Sequence, residues 1–405
     1  MSCKRLALVL LTKTRPSYDL PQKLLRSAIP NLVKSFSSKT RKTDEQYFTV
    51  SYLISSCGLS PQTALCASQK VNFRSAEQPD SVLTLLRNHG FSDTHISRLA
   101  KGCPAVLSSD PENTLLPKLE FFESIGITSA DLAKVCSSYP TLLTTSLSNQ
   151  IIPVYNYLKH VILLDDKQVG RSLKYSPRLF TTNLEKHIVP KIATLRELNV
   201  PASALSVLVT YTATVLLQNS KKFDKTVKEV VEMAPKPLNV TFVQLLKMML
   251  GLSNSTWEHK MEVFRKCGWS EDDLQLALKK FPLCMSVSEK KITSAMDFLV
   301  NEMGWKPAAI AKVPSVLLFS VKRRTIPRCS VLKVLILKGL ILKDVCLSTV
   351  LMRNDKYFLD RFVTKYAQDV PQLLDIFNGK VSLAELGLET EETCGRKTIV
   401  ASRLH

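Results

Sequence analysis

Glycine is scarce in this chain, at 12 of 405 residues, or about 3% where average chains carry about 7%. That excludes turn-rich β architecture and glycine-rich phosphate loops. G-x-G-x-x-G, G-x-x-x-x-G-K-[ST] and H-E-x-x-H are all absent. The ten cysteines are scattered with no C-x-x-C pair, so neither a zinc ribbon nor a dithiol redox motif is present. Most sit among apolar neighbours, as Cys136 does, and read as small reduced hydrophobes. Long apolar runs are missing too. The stretch Val331–Leu347 is cut by Lys333, Lys338 and Lys343, whereas a membrane span needs about 20 apolar residues. Acid is also short: 35 Asp+Glu face 55 Lys+Arg, a net charge of +20, which makes a polyanion the default partner. Hydrophobic residues at 45% supply a large core and exclude a disordered chain.

The charge is uneven. Residues 1–43 hold ten Lys and Arg, one acid (Asp19) and ten Ser or Thr. Basic, hydroxylated and nearly acid-free is the composition of an organellar transit peptide. A secretory signal fits less well, because the apolar run Leu6–Leu11 is short and Lys13 and Arg15 follow it; a basic tail is the bland reading. The early Lys4 and Arg5 favour mitochondria, with the chloroplast as alternative. Residues 44–405 keep 45 basic and 34 acidic residues, a balance of +11.

The rest of the chain repeats. Pro104-Ala-Val-Leu107, Pro140-Thr-Leu-Leu143 and Pro177-Arg-Leu-Phe180 are spaced 36 and 37 residues apart, as are Pro117-Lys-Leu, Pro153-Val-Tyr and Pro190-Lys-Ile. Gly90 and Gly126 lie 36 apart, Gly268 and Gly304 also 36, and Gly304 and Gly339 35. Pro282-Leu-Cys-Met285 and Pro314-Ser-Val-Leu317 continue the first series. One unit reads as helices. Pro117 opens a helix carrying Leu119, Phe122 and Ile125, and Gly126 ends it. Ser129 caps a second helix carrying Leu132, Val135 and Cys136, and Tyr139 before Pro140 stops it. Ser270 with Asp273 makes a capping box in a later unit. Such units bury their apolar faces only by stacking, so an all-helical solenoid is expected over residues 47–378, preceded by the transit peptide (1–43) and followed by a loose tail (379–405). Residues 205–255 are degenerate: Thr212-Ala-Thr-Val215 replaces the proline phrase, and position 199 has no glycine.

The phrases Val82-Leu-Thr-Leu-Leu-Arg-Asn-His-Gly90-Phe-Ser, Ile96-Ser-Arg-Leu99, Pro104-Ala-Val-Leu107 and Leu116-Pro-Lys-Leu-Glu-Phe-Phe122 resemble the mitochondrial transcription termination factor (mTERF) family. Phe48-Thr-Val-Ser-Tyr-Leu-Ile54, Gly268-Trp-Ser-Glu271, Met296-Asp-Phe-Leu299 and Ile326-Pro-Arg-Cys-Ser-Val331 are similar to its land-plant group. The resemblance implies an all-α, right-handed-type repeat solenoid, a half-doughnut superhelix of three-helix units of about 35 residues. It implies a non-enzymatic organelle protein that binds nucleic acid and acts in transcription, its termination, or RNA processing.

A solenoid that grips a polymer should repeat its contact residues at the repeat period. Three basic rows do so: Arg98, Lys134 and Arg171; Lys101, Lys174 and Lys279; and Lys118, Lys191 and Arg328. Regular cation rows suit a phosphate backbone. The densest cluster is Lys322, Arg323 and Arg324 with Arg328, at the start of a C-terminal helix. Any surface residue of a repeat protein is periodic, so solvated helix faces are the competing reading. Tyr175 beside Lys174 and Trp305 beside Lys306 read as core rather than base-stacking. His89 and His95 lack metal-ligand spacing, and the acids at helix starts (Asp165-Asp166, Glu271-Asp272-Asp273) read as dipole partners. The expected partner is double-stranded DNA, with organelle RNA as alternative and a basic protein-binding scaffold as the reading from another class. The expected molecule is a monomer with no catalytic residue, cofactor, metal, membrane or small-molecule substrate. A fluorescent fusion of residues 1–50 is expected to enter an organelle; a cytosolic signal overturns the transit peptide.

Overall fold

The computed structural model describes residues 41–233, 239–342 and 344–381. Residues 1–40 and the tail from 382 lie outside it, while the helix Arg41–Ser55 starts within the last residues assigned to the presequence. All regular structure among the described residues is helical. The chain divides into two compact units, one running to Leu195 and including Leu205–Leu217, the other formed by Arg196–Ala204 and Gln218 onward.

Each repeat is a long helix, a second helix and a short third one. In one repeat these are Glu77–Asn88, Asp93–Gly102 and Pro104–Ser108. In the next they are Leu116–Ser124, Ser129–Ser138 and Thr141–Thr144. The expected stripe is buried: Leu119, Phe122, Leu132 and Cys136 have no exposed surface, and Ile125 and Val135 little. Burial pushes the Cys136 thiol up to about 12, so it is an inert core side chain. Repeats join through this core, with the Phe122 and Phe180 rings 6.2 Å apart. Second helices pack side by side, Asp93–Gly102 on Ser129–Ser138 and that on Asp166–Tyr175. In the other unit Val240–Gly251, Glu271–Lys280 and Pro307–Ala311 do the same.

Two local expectations shift. The second helix is capped by Thr128, whose hydroxyl accepts from the Asp131 amide, rather than by Ser129. Pro117 does stand in the first turn of its α-helix, but that α-helix continues an earlier turn. Helical winding begins at Pro111 with a π turn, Pro111–Leu115, and continues into Leu116–Ser124. The same wide turn precedes Pro153 (Leu147–Ile151) and Pro327 (Val321–Thr325). Its bonds reach back five residues, Leu115 N–H to Asp110 O at 3.1 Å and Ile151 N–H to Ser146 O at 3.1 Å. Proline donates no bond and its ring crowds the carbonyl four residues back, which a wider turn accommodates. The capping box of Ser270 with Asp273 is present.

Among the described residues the turns after several first helices have a positive φ. Gly90 and Gly126 stand at 81° and 85°, and the period continues through Leu163 at 64° and Asn199 at 59°. So the glycine-free position 199 keeps the left-handed backbone with asparagine, a residue that tolerates it. Leucine tolerates it poorly, at a cost of about 1–2 kcal/mol, and Leu163 is 73% exposed, so packing returns little. Leu163→Gly is therefore expected to stabilise the protein by about 0.5–1 kcal/mol after the entropy of unfolded glycine is subtracted. Urea unfolding measures this, and Asn199→Gly should gain less.

Candidate nucleic-acid interface

The third predicted row faces the core. Lys118 and Lys191 are each 3% exposed and Arg328 1%. The Lys118 ammonium donates to the Leu143 carbonyl and Lys191 to the Leu216 carbonyl at 2.6 Å. Arg328 donates to the carbonyls of Val350 and Arg353, both at 2.8 Å, and pairs with Asp355. These cations tie the first helix of a repeat to the short helix that ends the same repeat. The pattern extends to residues outside the predicted rows: Lys222 reaches Leu250 O, Lys260 reaches Val287 O, and Lys291 reaches Leu318 O. In each case the acceptor lies in the last turn of a later helix of the same repeat or just beyond it, where carbonyls lack helical partners and the dipole is negative. Burial holds the Lys118 and Lys260 ammonium groups below the usual lysine range.

The sequence carries a signal for this. Leu115 and Phe122, three before and four after Lys118, are buried; so are Ile188 and Leu195 around Lys191, and Thr325 and Leu332 around Arg328. A cation with apolar or small residues at both positions lies on the core stripe.

The basic cluster divides for the same reason. Lys322 and Arg323 are exposed. Arg324 lies over the Phe319 ring at 4.6 Å and donates to Leu351 O at 3.1 Å and Arg353 O at 2.7 Å. Arg324 and Arg328 both meet Asp355. They join the long helix to the following short helices, so the expected phosphate grip reduces to Lys322 and Arg323.

The other rows stay on the surface. Arg98, Lys134 and Arg171 are exposed and occupy matching positions on three successive second helices of one unit. Lys101 and Lys174 are exposed one turn later; Lys279 is exposed in the other unit. Lys134, Arg171 and Lys174 meet in an open groove of about 640 Å³, with Asp131, Tyr175, Pro177 and Tyr211. Lys174 is held by Asp131 at 2.6 Å, and that bond keeps the Asp131 carboxyl below the usual carboxylate range. Lys174 is thus partly neutralised, leaving Lys134 and Arg171 as the groove's main cations.

The aromatic expectation also shifts. Tyr175 is 62% exposed and Tyr211 43%, so Tyr175 is not core. It is the last residue of its helix, beyond the buried stripe of Val169 and Leu173. Trp305 is half-buried. His89 and His95 have local roles: His89 lies 3.3 Å from Glu123, and His95 completes the capping box of Ser92.

Stacked three-helix repeats with an exposed cation row define a class, the helical-repeat binding proteins. The family profile named mTERF matches residues 83–245 and 238–359, and the chain belongs to the mTERF family. It is similar to transcription termination factor MTERF8, chloroplastic, of Arabidopsis thaliana: 18% identical over 222 residues, covering 55% of this chain and 44% of that one. Against transcription termination factor MTERF2, chloroplastic, of the same plant, it is 27% identical over 110 residues, covering 27% of this chain and 16% of that one. The matches thus span less than half the length of either relative.

The buried row makes a sharp expectation. Lys118→Met keeps the stem but leaves the Leu143 carbonyl unpaired, a cost of about 1–3 kcal/mol. Chemical denaturation should record that loss, and the salt dependence of nucleic-acid binding should not move.

Proposed function

We propose that this protein binds nucleic acid in an organelle and acts in the expression of its genome. The observation that carries the reading is the exposed row Arg98, Lys134 and Arg171, one cation per repeat on adjacent packed helices. A phosphate backbone is a regular line of charge, and a regular line of cations matches it independently of sequence. The names of both relatives support a transcription role and an organelle address. Those names specify the chloroplast, whereas Lys4 and Arg5 of the presequence favour mitochondria; the organelle is common to both. Duplex DNA bound as a roadblock to transcription, or as a recruiting platform, is the first reading, and it requires no catalytic group. A single-stranded target, as in organelle RNA maturation, is favoured by one observation, the exposed tyrosines beside Arg171 and Lys174.

Salt titration tests the proposal. Each neutralised phosphate adds about 0.9 to the log–log slope on duplex DNA and about 0.7 on a single strand. Arg98, Lys134 and Arg171 changed together to Ala should flatten the slope by about 2–3 units. A wild-type slope near zero defeats the nucleic-acid reading, and an unchanged slope in the triple variant removes this row from the interface.

A further inference from the structure

We infer that the Tyr175–Tyr211 groove is a stacking subsite for an unpaired nucleobase, so that the strand held by Lys134 and Arg171 is single-stranded there. The inference rests on the nucleic-acid reading above and names the form of nucleic acid this site takes.

Tyrosine rings of this size ordinarily bury most of their apolar area. Here two lie side by side on the surface, with centroids 5.5 Å apart and planes inclined at 57°. At that angle neither ring covers the other's face, so the pair leaves aromatic surface open to the groove. The platform is held in place. The Tyr211 hydroxyl accepts from Arg171 Nη1 at 3.2 Å, and Tyr175 stands at a helix end followed by buried Ser176 and a short helix from Pro177 that buries Leu179 and Phe180. The same arginine therefore faces the groove and orients one of its rings. A volume of about 640 Å³ lies within the range of small-ligand sites, about 300–1,000 Å³, and accommodates a nucleotide.

At this groove the chemistry selects against a paired base. Paired bases are stacked on both faces, so an aromatic platform beside phosphate-binding cations finds no base to hold. In a single strand each base offers a free face, and stacking on tyrosine or tryptophan tolerates any sequence. Asp131 adds polarity at the groove: its carboxylate is ionised and held by Lys174, and it offers an acceptor to an exocyclic amine at the base edge.

Binding of single-stranded RNA, single-stranded DNA and duplex DNA of mixed sequence by the full-length protein tests this, with 2-aminopurine placed in the single strands. Tyr175→Ala with Tyr211→Ala should weaken single-strand binding about tenfold to a hundredfold, leave the salt slope unchanged, and leave duplex affinity within about twofold. Wild type should quench the 2-aminopurine, and the double Ala variant should not. Tyr175→Phe with Tyr211→Phe keeps both π faces and should retain binding and quenching, which separates stacking from a loss of fold. The RNA and DNA arms separate the two sources of single strand. Single-strand binding unchanged by the Ala pair overturns the inference while leaving the nucleic-acid reading intact. An equal loss on duplex and single strand also overturns it, because the tyrosines then act only by holding Arg171. Wild type that is helical by circular dichroism yet binds none of the three ligands overturns the nucleic-acid reading itself.

Discussion

The closure of each repeat depends on a cation of its first helix meeting a later helix end of the same repeat. A helix end leaves its last carbonyls without partners, and here they lie within reach of the first helix of the same repeat. Unpaired there, each would cost about 1–3 kcal/mol. The Lys118 and Lys191 ammonium groups and the Arg328 guanidinium fill that position, as do Lys222, Lys260 and Lys291. A long side chain suits the task, since its stem packs along the apolar stripe while its charged head reaches a carbonyl 22 to 28 residues away in sequence.

This changes the meaning of the positive charge. Part of the basic excess is internal, satisfied by backbone, and unavailable to any polyanion. Lys174 is further reduced by Asp131 and Arg324 by Asp355. The cations that remain free to meet a ligand are fewer than the composition suggests, and those on the second helices are arranged in register. A repeat protein needs register more than total charge, because its ligand is also periodic.

The fold was largely legible in the chain. Three series of proline and glycine markers gave the period, and helices end at Tyr139 and turn through Gly126 where those markers stand. Departures were local. The π turn before Pro117 has no distinctive residue of its own; it follows from the ring's need for room within a helix that starts earlier. Thr128 displaced Ser129 as cap because the two hydroxyl residues are adjacent and only the backbone geometry chooses between them. Asn199 kept the left-handed turn without glycine. The site was less legible. The burial of Lys118, Lys191 and Arg328 could have been read from Leu115 and Phe122, Ile188 and Leu195, and Thr325 and Leu332. The exposure of Tyr175 could not.

The sequence by itself determined the repeat period, the helical class, the family and the periodic placement of basic residues. All of these are properties of local spacing, and a helix of 3.6 residues per turn converts spacing into faces. Only the tertiary structure decided which periodic cations are structural and which meet solvent, and that Tyr175 and Tyr211 share a groove with Lys134 and Arg171. Exposure is set by neighbours 25 to 40 residues away, and those neighbours come into contact only when the helices of a repeat close on one another and the repeats stack.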